Sequence, residues 1–192
     1  AMNTGMYNKA VVQANISKLR ESGMAIMQPA VGRLACGTTG IGRLPEPADI
    51  VEFVEHYLAM QTGDLCSLTV MVTAAGTREP IDPVRYIGNR SSGKMGYAIA
   101  KAASDRGAKV ILISGPSMLK PPSAVKFISV ESTQEMMDAV LKHYNEADVV
   151  IKAAAVADYR SSIVETQKIK KHGDDSLTLT LDKNPDILKI LG

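Results

Sequence analysis

Before residue 61, apolar positions recur at helical spacing on either side of a stretch rich in glycine. Val12, Ile16 and Leu19 form one stripe, with Asn8 as the expected N-cap and Gly23 as the stop. Ile50, Phe53, Val54, Tyr57 and Leu58 form another. Between them, MAIMQP at 24–29 reads as a short strand ended by Pro29, and GRLACGTTGIGRLPEP at 32–47 as a glycine-rich loop.

After residue 67, near-continuous apolar runs of strand length alternate with helical stripes. LTVMVTAAG (68–76), KVILISGP (109–116), KFISV (126–130) and DVVIKAAAVADY (148–159) carry the runs. Uninterrupted apolarity is what a strand covered on both faces requires. SSGKMGYAIAKAASDRG (91–107) reads as an Ala-rich helix with a serine N-cap and Gly107 as its stop. STQEMMDAVLKHY (132–144) opens on a capping box, Ser132 with Glu135, and presents Met136, Met137, Val140, Leu141 and Tyr144 as its stripe. LTLTLDK (177–183) alternates with period two and predicts a half-exposed strand. PVRYI (83–87) predicts only a short extended piece, because Pro83 and Arg85 suit it poorly to a sheet centre. Strands alternating with helices predict an α/β fold, a Rossmann-like parallel sheet flanked by helices with right-handed crossovers. The division falls in QTGDLCS, giving a first domain at 1–60, a linker at 61–67 and a second domain at 68–192.

Composition narrows the classes. The chain of 192 residues is 45% apolar and 22% charged, as soluble globular proteins are. Aromatics make up 4%, with no Trp and only Phe53 and Phe127, so the core must come from Val, Ile, Leu, Ala and the ten Met. A net charge of +2 gives no drive toward nucleic acid or an anionic membrane. Cys36 and Cys66 make neither a disulfide framework nor a zinc site, so a reducing cytoplasm is the expected location. No apolar run approaches the roughly 20 residues of a membrane span. Position 1 is Ala and the last residues, NPDILKILG, stop inside a helical pattern, so the sequence reads as a piece cut at both ends.

Candidate chemistry gathers where strands end, since ligands of such sheets bind outside the carboxyl ends of the strands. TAAGTREP, the SSG helix start and AAAVADY lie there, and their small residues let a ligand approach the backbone. GNRSSGKMG (88–96) is one residue from a phosphate-binding P-loop, but Met95 stands where a magnesium-binding hydroxyl belongs, and no buried strand directly precedes it. What remains is Ser91, Ser92 and Gly93 at a helix start, with Arg90 and Lys94 beside them, suited to an anion. KIKKHG (168–173) is either a solvated basic face or a clamp over phosphates. Cys36 is either a small apolar residue or a group carried on a flexible flap between Gly32, Gly37, Gly40 and Gly42. His56, His143 and Lys152 show no partner spacing and read as structural or surface residues. TAAGTREP lacks G-x-G-x-x-G, which disfavours an NAD(P)-dependent oxidoreductase; a non-catalytic assembly fragment is the remaining alternative.

The ordered motifs VTAAGTREPIDPVRYIGNRSSGKMGYAIA, AAAVADY, KIKK and KNPDIL resemble the phosphopantothenate–cysteine ligase half of the bifunctional coenzyme A biosynthesis proteins. The upstream AMNTGMY, LACG and GRLPEP resemble the end of their flavin-dependent phosphopantothenoylcysteine decarboxylase half, a partial flavodoxin-like α/β segment. The resemblance implies a ligase that activates 4′-phosphopantothenate with CTP and Mg²⁺ as an acyl-cytidylate, which L-cysteine then attacks. It implies Lys168 in formation of the acyl-cytidylate and Asn89 at the intermediate. Nucleotide contacts fall to Ala153, Ala154, Ala155, Asp158, Lys168, Pro185, Asp186, Ile187 and Leu188, beside Ser91, Ser92 and Gly93, with Asp158 near the ribose or its metal; the sequence gives no metal-ligand set. For the decarboxylase it implies FMN, Asn3 as a substrate clamp and Cys36 as a proton donor on a flap. It also implies a homo-oligomer, with the ligase paired as a dimer and the decarboxylase assembled in trimers. The sequence departs from the pattern at Thr38, where some members carry Asp, and at Ala75, where a second loop glycine is usual.

Overall fold

A computed structural model describes residues 1–170 and 176–192. The chain divides into two units, Ala1–Leu58 and Ala59–Gly192. In the first, α1 (Thr4–Tyr7) and α2 (Ala10–Glu21) precede an antiparallel hairpin of β1 (Ala30–Arg33) and β2 (Thr39–Arg43), and α3 (Pro47–Thr62) carries the chain across the division. Three expectations change here. Asn8 closes α1, while Lys9 stands at the N-cap of α2 and Asn3 caps α1 through its side chain. MAIMQP forms no strand; the sheet pairing of this unit is confined, among the described residues, to 30–43. The glycine-rich loop is instead the β1–β2 hairpin, in which Gly32 pairs with Gly40. Val54 and Leu58 of the α3 stripe stay exposed.

The second unit begins with β3 (Thr69–Ala74), a short antiparallel ribbon of β4 (Arg78–Pro80) and β5 (Tyr86–Gly88), and α4 (Lys94–Asp105). It continues with β6 (Lys109–Ser114), β7 (Lys126–Ser129), α5 (Thr133–His143), β8 (Val149–Lys152), β9 (Tyr159–Ser161), β10 (Leu181–Lys183) and α6 (Ile187–Leu191). The sheet is parallel with order β7-β6-β3-β8, the Rossmann arrangement that the alternating runs predict. Side-chain alternation along β3 sends Val70, Val72 and Ala74 to a core with Tyr97, Ala100 and Ala103 of α4. It sends Met71 to the opposite core with Met136 and Val140 of α5 and Ile187 of α6. Each buried Val, Ile or Met among them contributes about 1.5–3 kcal/mol.

Further local readings are corrected. The N-cap of α4 is Gly93, left-handed at φ 82°, a conformation that L residues avoid; the Ser92 hydroxyl reaches the Lys94 N–H only at 3.5 Å. In α5, Ser132 accepts the Glu135 N–H at 3.1 Å, but Glu135 reaches back to the Glu131 N–H at 2.7 Å instead of completing the box on Ser132. LTLTLDK narrows to β10, paired with β9 and exposed throughout. His143 does have partners, Glu146 at 2.7 Å and Lys126 at 3.2 Å.

Candidate active site

The carboxyl edge of the sheet carries the candidate chemistry. Strand pairing between β3 and β8 runs on past both strands: the Ala153 N–H donates to the Thr73 carbonyl at 3.1 Å and the Ala155 N–H to the Ala75 carbonyl at 2.7 Å. The Ala154 N–H donates to the Thr73 hydroxyl at 3.3 Å. All three amides are thus engaged within the protein. Asn89 closes over this edge. Its Nδ2 donates to the Ala155 carbonyl, 66 residues away in sequence, and its Oδ1 accepts the Ser91 N–H at 3.0 Å. Gly76 permits the approach, since a Cβ there would stand 2.4 Å from Asn89 Oδ1.

On the other side of the Ser91–Gly93 loop, a cleft of about 690 Å³ opens over the ends of β6 and β7. Arg78, Ser91, Ser92, Lys94, Ser117 and Phe127 are among the residues lining it. Ser117 ties the loop down by donating to the Ser92 carbonyl at 3.0 Å. The ribbon of β4 and β5 intervenes between β3 and α4, so neither a P-loop nor a short dinucleotide turn is built here.

Ala75 is left-handed at φ 62°, the geometry in which a methyl group is strained. It is fully buried, and a Cβ on Gly93 would lie 3.1 Å from its methyl. Ala75→Gly is expected to raise stability by about 0.5–1 kcal/mol, the relief of strain exceeding the added freedom of the unfolded chain. A urea midpoint equal to or below the parent's would show that the surrounding packing, and not the backbone, sets this residue's conformation.

The profile of the DNA/pantothenate metabolism flavoprotein C-terminal domain matches residues 65–192. The chain belongs to the DNA/pantothenate metabolism flavoprotein family. The Flavoprotein profile matches residues 1–59. A Vibrio vulnificus relative named Coenzyme A biosynthesis bifunctional protein CoaBC is 49% identical over 189 residues, covering 98% of this chain and 47% of its own. A Bacillus subtilis relative of the same name is 48% identical over 194 residues, covering 100% of this chain and 48% of its own. The chain therefore spans about half the length of the curated relatives it matches. A crystal structure of the C-terminal domain of such a CoaBC protein superposes with a TM-score of 0.57 at 50% identity, over 65% of this chain and 58% of that one.

Within this member of the flavoprotein family, the remaining site candidates fall into three places. Asp158 is exposed, and its carbonyl accepts the Asn184 N–H at 2.8 Å. Pro185 follows, Asp186 caps α6 through the Leu188 N–H at 3.0 Å, and the Ile187 side chain belongs to the core. Lys168 is exposed at the opposite end of β5 from Asn89, next to Ile169, which is held by Arg85; strand rise separates Arg85 from Asn89 by roughly 13 Å. The structure does not bring Lys168 into contact with Asn89. Lys171, His172 and Gly173 of the basic cluster lie outside the described residues. In the first unit, Asn3 Nδ2 donates to Cys36 Sγ at 3.2 Å, and Thr38 Oγ1 lies 3.2 Å from the same sulfur. Hydrogen bonding from Thr38, then from Asn3, holds the Cys36 thiol below its ordinary pKa. Thr38 thus serves the cysteine directly.

Several site-building residues gave no sign as chemistry. Glu79 is 2% exposed and accepts from the Thr133 N–H at 2.9 Å and the Thr133 hydroxyl at 2.7 Å. Thr77 accepts the Ala157 N–H at 2.9 Å, and Asn184 donates to the Ala157 carbonyl at 2.9 Å and to Thr133 Oγ1 at 3.2 Å. This network pins AAAVAD to KNPD. Burial lowers the pKa of Lys152, partly offset by Asp186, so Lys152 is neither a plain surface residue nor remote from the site.

Proposed function

We propose that the second unit is the larger part of a CTP-dependent ligase that joins 4′-phosphopantothenate to L-cysteine. The contact between Asn89 and Ala155 carries this reading: two distant segments that the resemblance assigns to one site are joined at the ligand-binding edge of the sheet. The name shared by the relatives, Coenzyme A biosynthesis bifunctional protein, supports it.

The chemistry follows from the groups present. A carboxylate oxygen of phosphopantothenate attacks the α-phosphorus of CTP, the bond to the β-phosphate breaks, and pyrophosphate leaves. Negative charge crowds at that phosphorus, and the Lys168 ammonium, which has no ion-pair partner among the described residues, is the cation to offset it. The amine of L-cysteine then attacks the acyl carbon, CMP leaves with its bonding pair, and the amine gives up a proton. Asn89 uses one Nδ2 hydrogen on Ala155; the second remains for the acyl oxygen as its charge develops. Because the Ala153–Ala155 amides are engaged, their neighbouring carbonyls suit the exocyclic amino group of cytosine better than the keto oxygen of uracil. Asp158, Asp186 and the backbone of Pro185–Leu188 frame the same edge, and Ser91, Ser92 and Gly93 flank it.

Mg²⁺ accompanies the triphosphate in this reading. Among the described residues no group of three or more His, Cys, Asp or Glu is arranged for a metal ion. In this reading the ion is held mainly by phosphate oxygens, with Asp158 as the one carboxylate we assign to it. The first unit is the corresponding piece of a phosphopantothenoylcysteine decarboxylase, with Asn3 and Cys36 at its flap. Asn3 donates to the Cys36 sulfur, so the substrate clamp and the proton donor meet at one place on the flap. The homo-oligomer rests on the resemblance and the cytoplasmic location on the cysteine usage; no helix among the described residues is long and apolar enough to cross a membrane.

The deciding experiment combines CTP, phosphopantothenate and Mg²⁺. Pyrophosphate release that requires both substrates, with a thermal shift larger for CTP than for ATP or NADP, is the expected result. A nicotinamide cofactor that stabilises the protein while CTP does not would overturn the reading.

A further inference from the structure

Lys168 and Lys170 belong to a stretch, 162–170, that forms neither strand nor helix. A cation that must meet a phosphorus atom needs a defined backbone, and the turn between β4 and β5 supplies it. Asp82 is 3% exposed, and its Oδ2 accepts the Ile169 N–H at 3.0 Å. Arg85 grips the same oxygen through Nε at 3.0 Å and through Nη2, and Nη2 also donates to the Ile169 carbonyl at 2.9 Å. Both backbone polar groups of Ile169 are thus taken by one ion pair far upstream. The turn is itself braced: Asp82 Oδ1 accepts the Val84 and Arg85 N–H groups, each at 2.8 Å. A second tether, from the Glu165 N–H to the Ile81 carbonyl at 2.9 Å, holds the stretch a few residues earlier.

We infer that Asp82 and Arg85 are positioning residues for Lys168, fixing the backbone from which it reaches the nucleotide; the role rests on the ligase reading above. Charge-assisted hydrogen bonds to a shielded carboxylate are the strong kind. Arg85 and the Ile169, Val84 and Arg85 amides hold the Asp82 carboxyl well below the usual carboxylate range, so the latch keeps its charge at neutral pH. A latch confined to stability would place no demand on catalysis through Lys168, and this separates the two roles.

The test uses the full chain carrying Asp82→Asn, Lys168→Gln, or both. Trypsin cleavage after Lys168 and Lys170, followed by mass spectrometry, is expected to quicken about tenfold in Asp82→Asn while cleavage elsewhere is unchanged. Pyrophosphate release is expected to lose about tenfold in kcat with little change in KM for CTP, and the double variant is expected to be no slower than Lys168→Gln alone. Losses that multiply in the double variant, or cleavage that rises equally at all sites, would overturn the inference. If Asp82→Asn fails to fold, Arg85→Ala, whose side chain is partly exposed, carries the same measurements. Should the parent protein release no pyrophosphate, the ligase reading falls, while the protease comparison still judges the latch.

Discussion

Lys168→Gln is expected to lower pyrophosphate release from CTP and phosphopantothenate by about 10²–10³-fold, the usual cost of removing a preorganised group that stabilises developing charge. Glutamine keeps most of the side-chain length and its ability to donate, but not the charge. Lys168 is exposed and its backbone is anchored through Ile169, so the substitution leaves the fold intact. Stability should stay within about 0.5 kcal/mol of the parent, as for other surface changes. CTP should still shift the melting temperature, because the groups at the sheet edge that frame the nucleotide are untouched. Equal release by parent and variant would remove Lys168 from the mechanism and return the basic stretch to a solvated face.

The second large effect lies at Gly96 in the first turns of α4. A Cβ there would stand 2.5 Å from the Ala74 Cβ, 3.0 Å from the Ala74 Cα and 3.1 Å from the Thr73 carbonyl. Two of these neighbours are backbone atoms at the end of β3, which cannot swing aside as a side-chain tip can. Gly96→Val must therefore lift α4 off the sheet. The expected loss is about 3 kcal/mol, at the upper end of overpacking costs, and roughly 10 °C in melting temperature. The end of β3 also carries Ala75 and Gly76, so CTP stabilisation should fall with it. A melting temperature within about 2 °C of the parent would mean that the helix slides at little cost.

The parallel sheet was legible because β3 and β6 are covered on both faces and so carry apolar runs. Such a run needs no knowledge of its partner. The β1–β2 hairpin was not legible, since TGIGR offers glycine where an alternating pattern needs side chains. MAIMQP had the composition of a strand, but composition says nothing of a neighbour. The α4 cap was misread because the sequence marks Ser91 and Ser92 as caps, while the turn geometry needs the left-handed Gly93. At the site, the resemblance named the segments and the structure supplied their relations. That Asn89 meets Ala155, or that Asp82 holds Ile169, rests on pairs separated by 66 and 87 residues. No local rule spans such a distance.

The buried network of Thr77, Glu79, Thr133 and Asn184 has a consequence for how this edge can fail. Among the described residues no buried side-chain nitrogen or oxygen lacks a partner. Removing one member therefore strands the others away from water, at about 1–3 kcal/mol for each group left unpaired. Intermediate states, with AAAVAD seated and KNPD released, are thereby penalised. The ligand edge behaves as a cooperative unit, either assembled from strands, loop and helix cap together or not assembled.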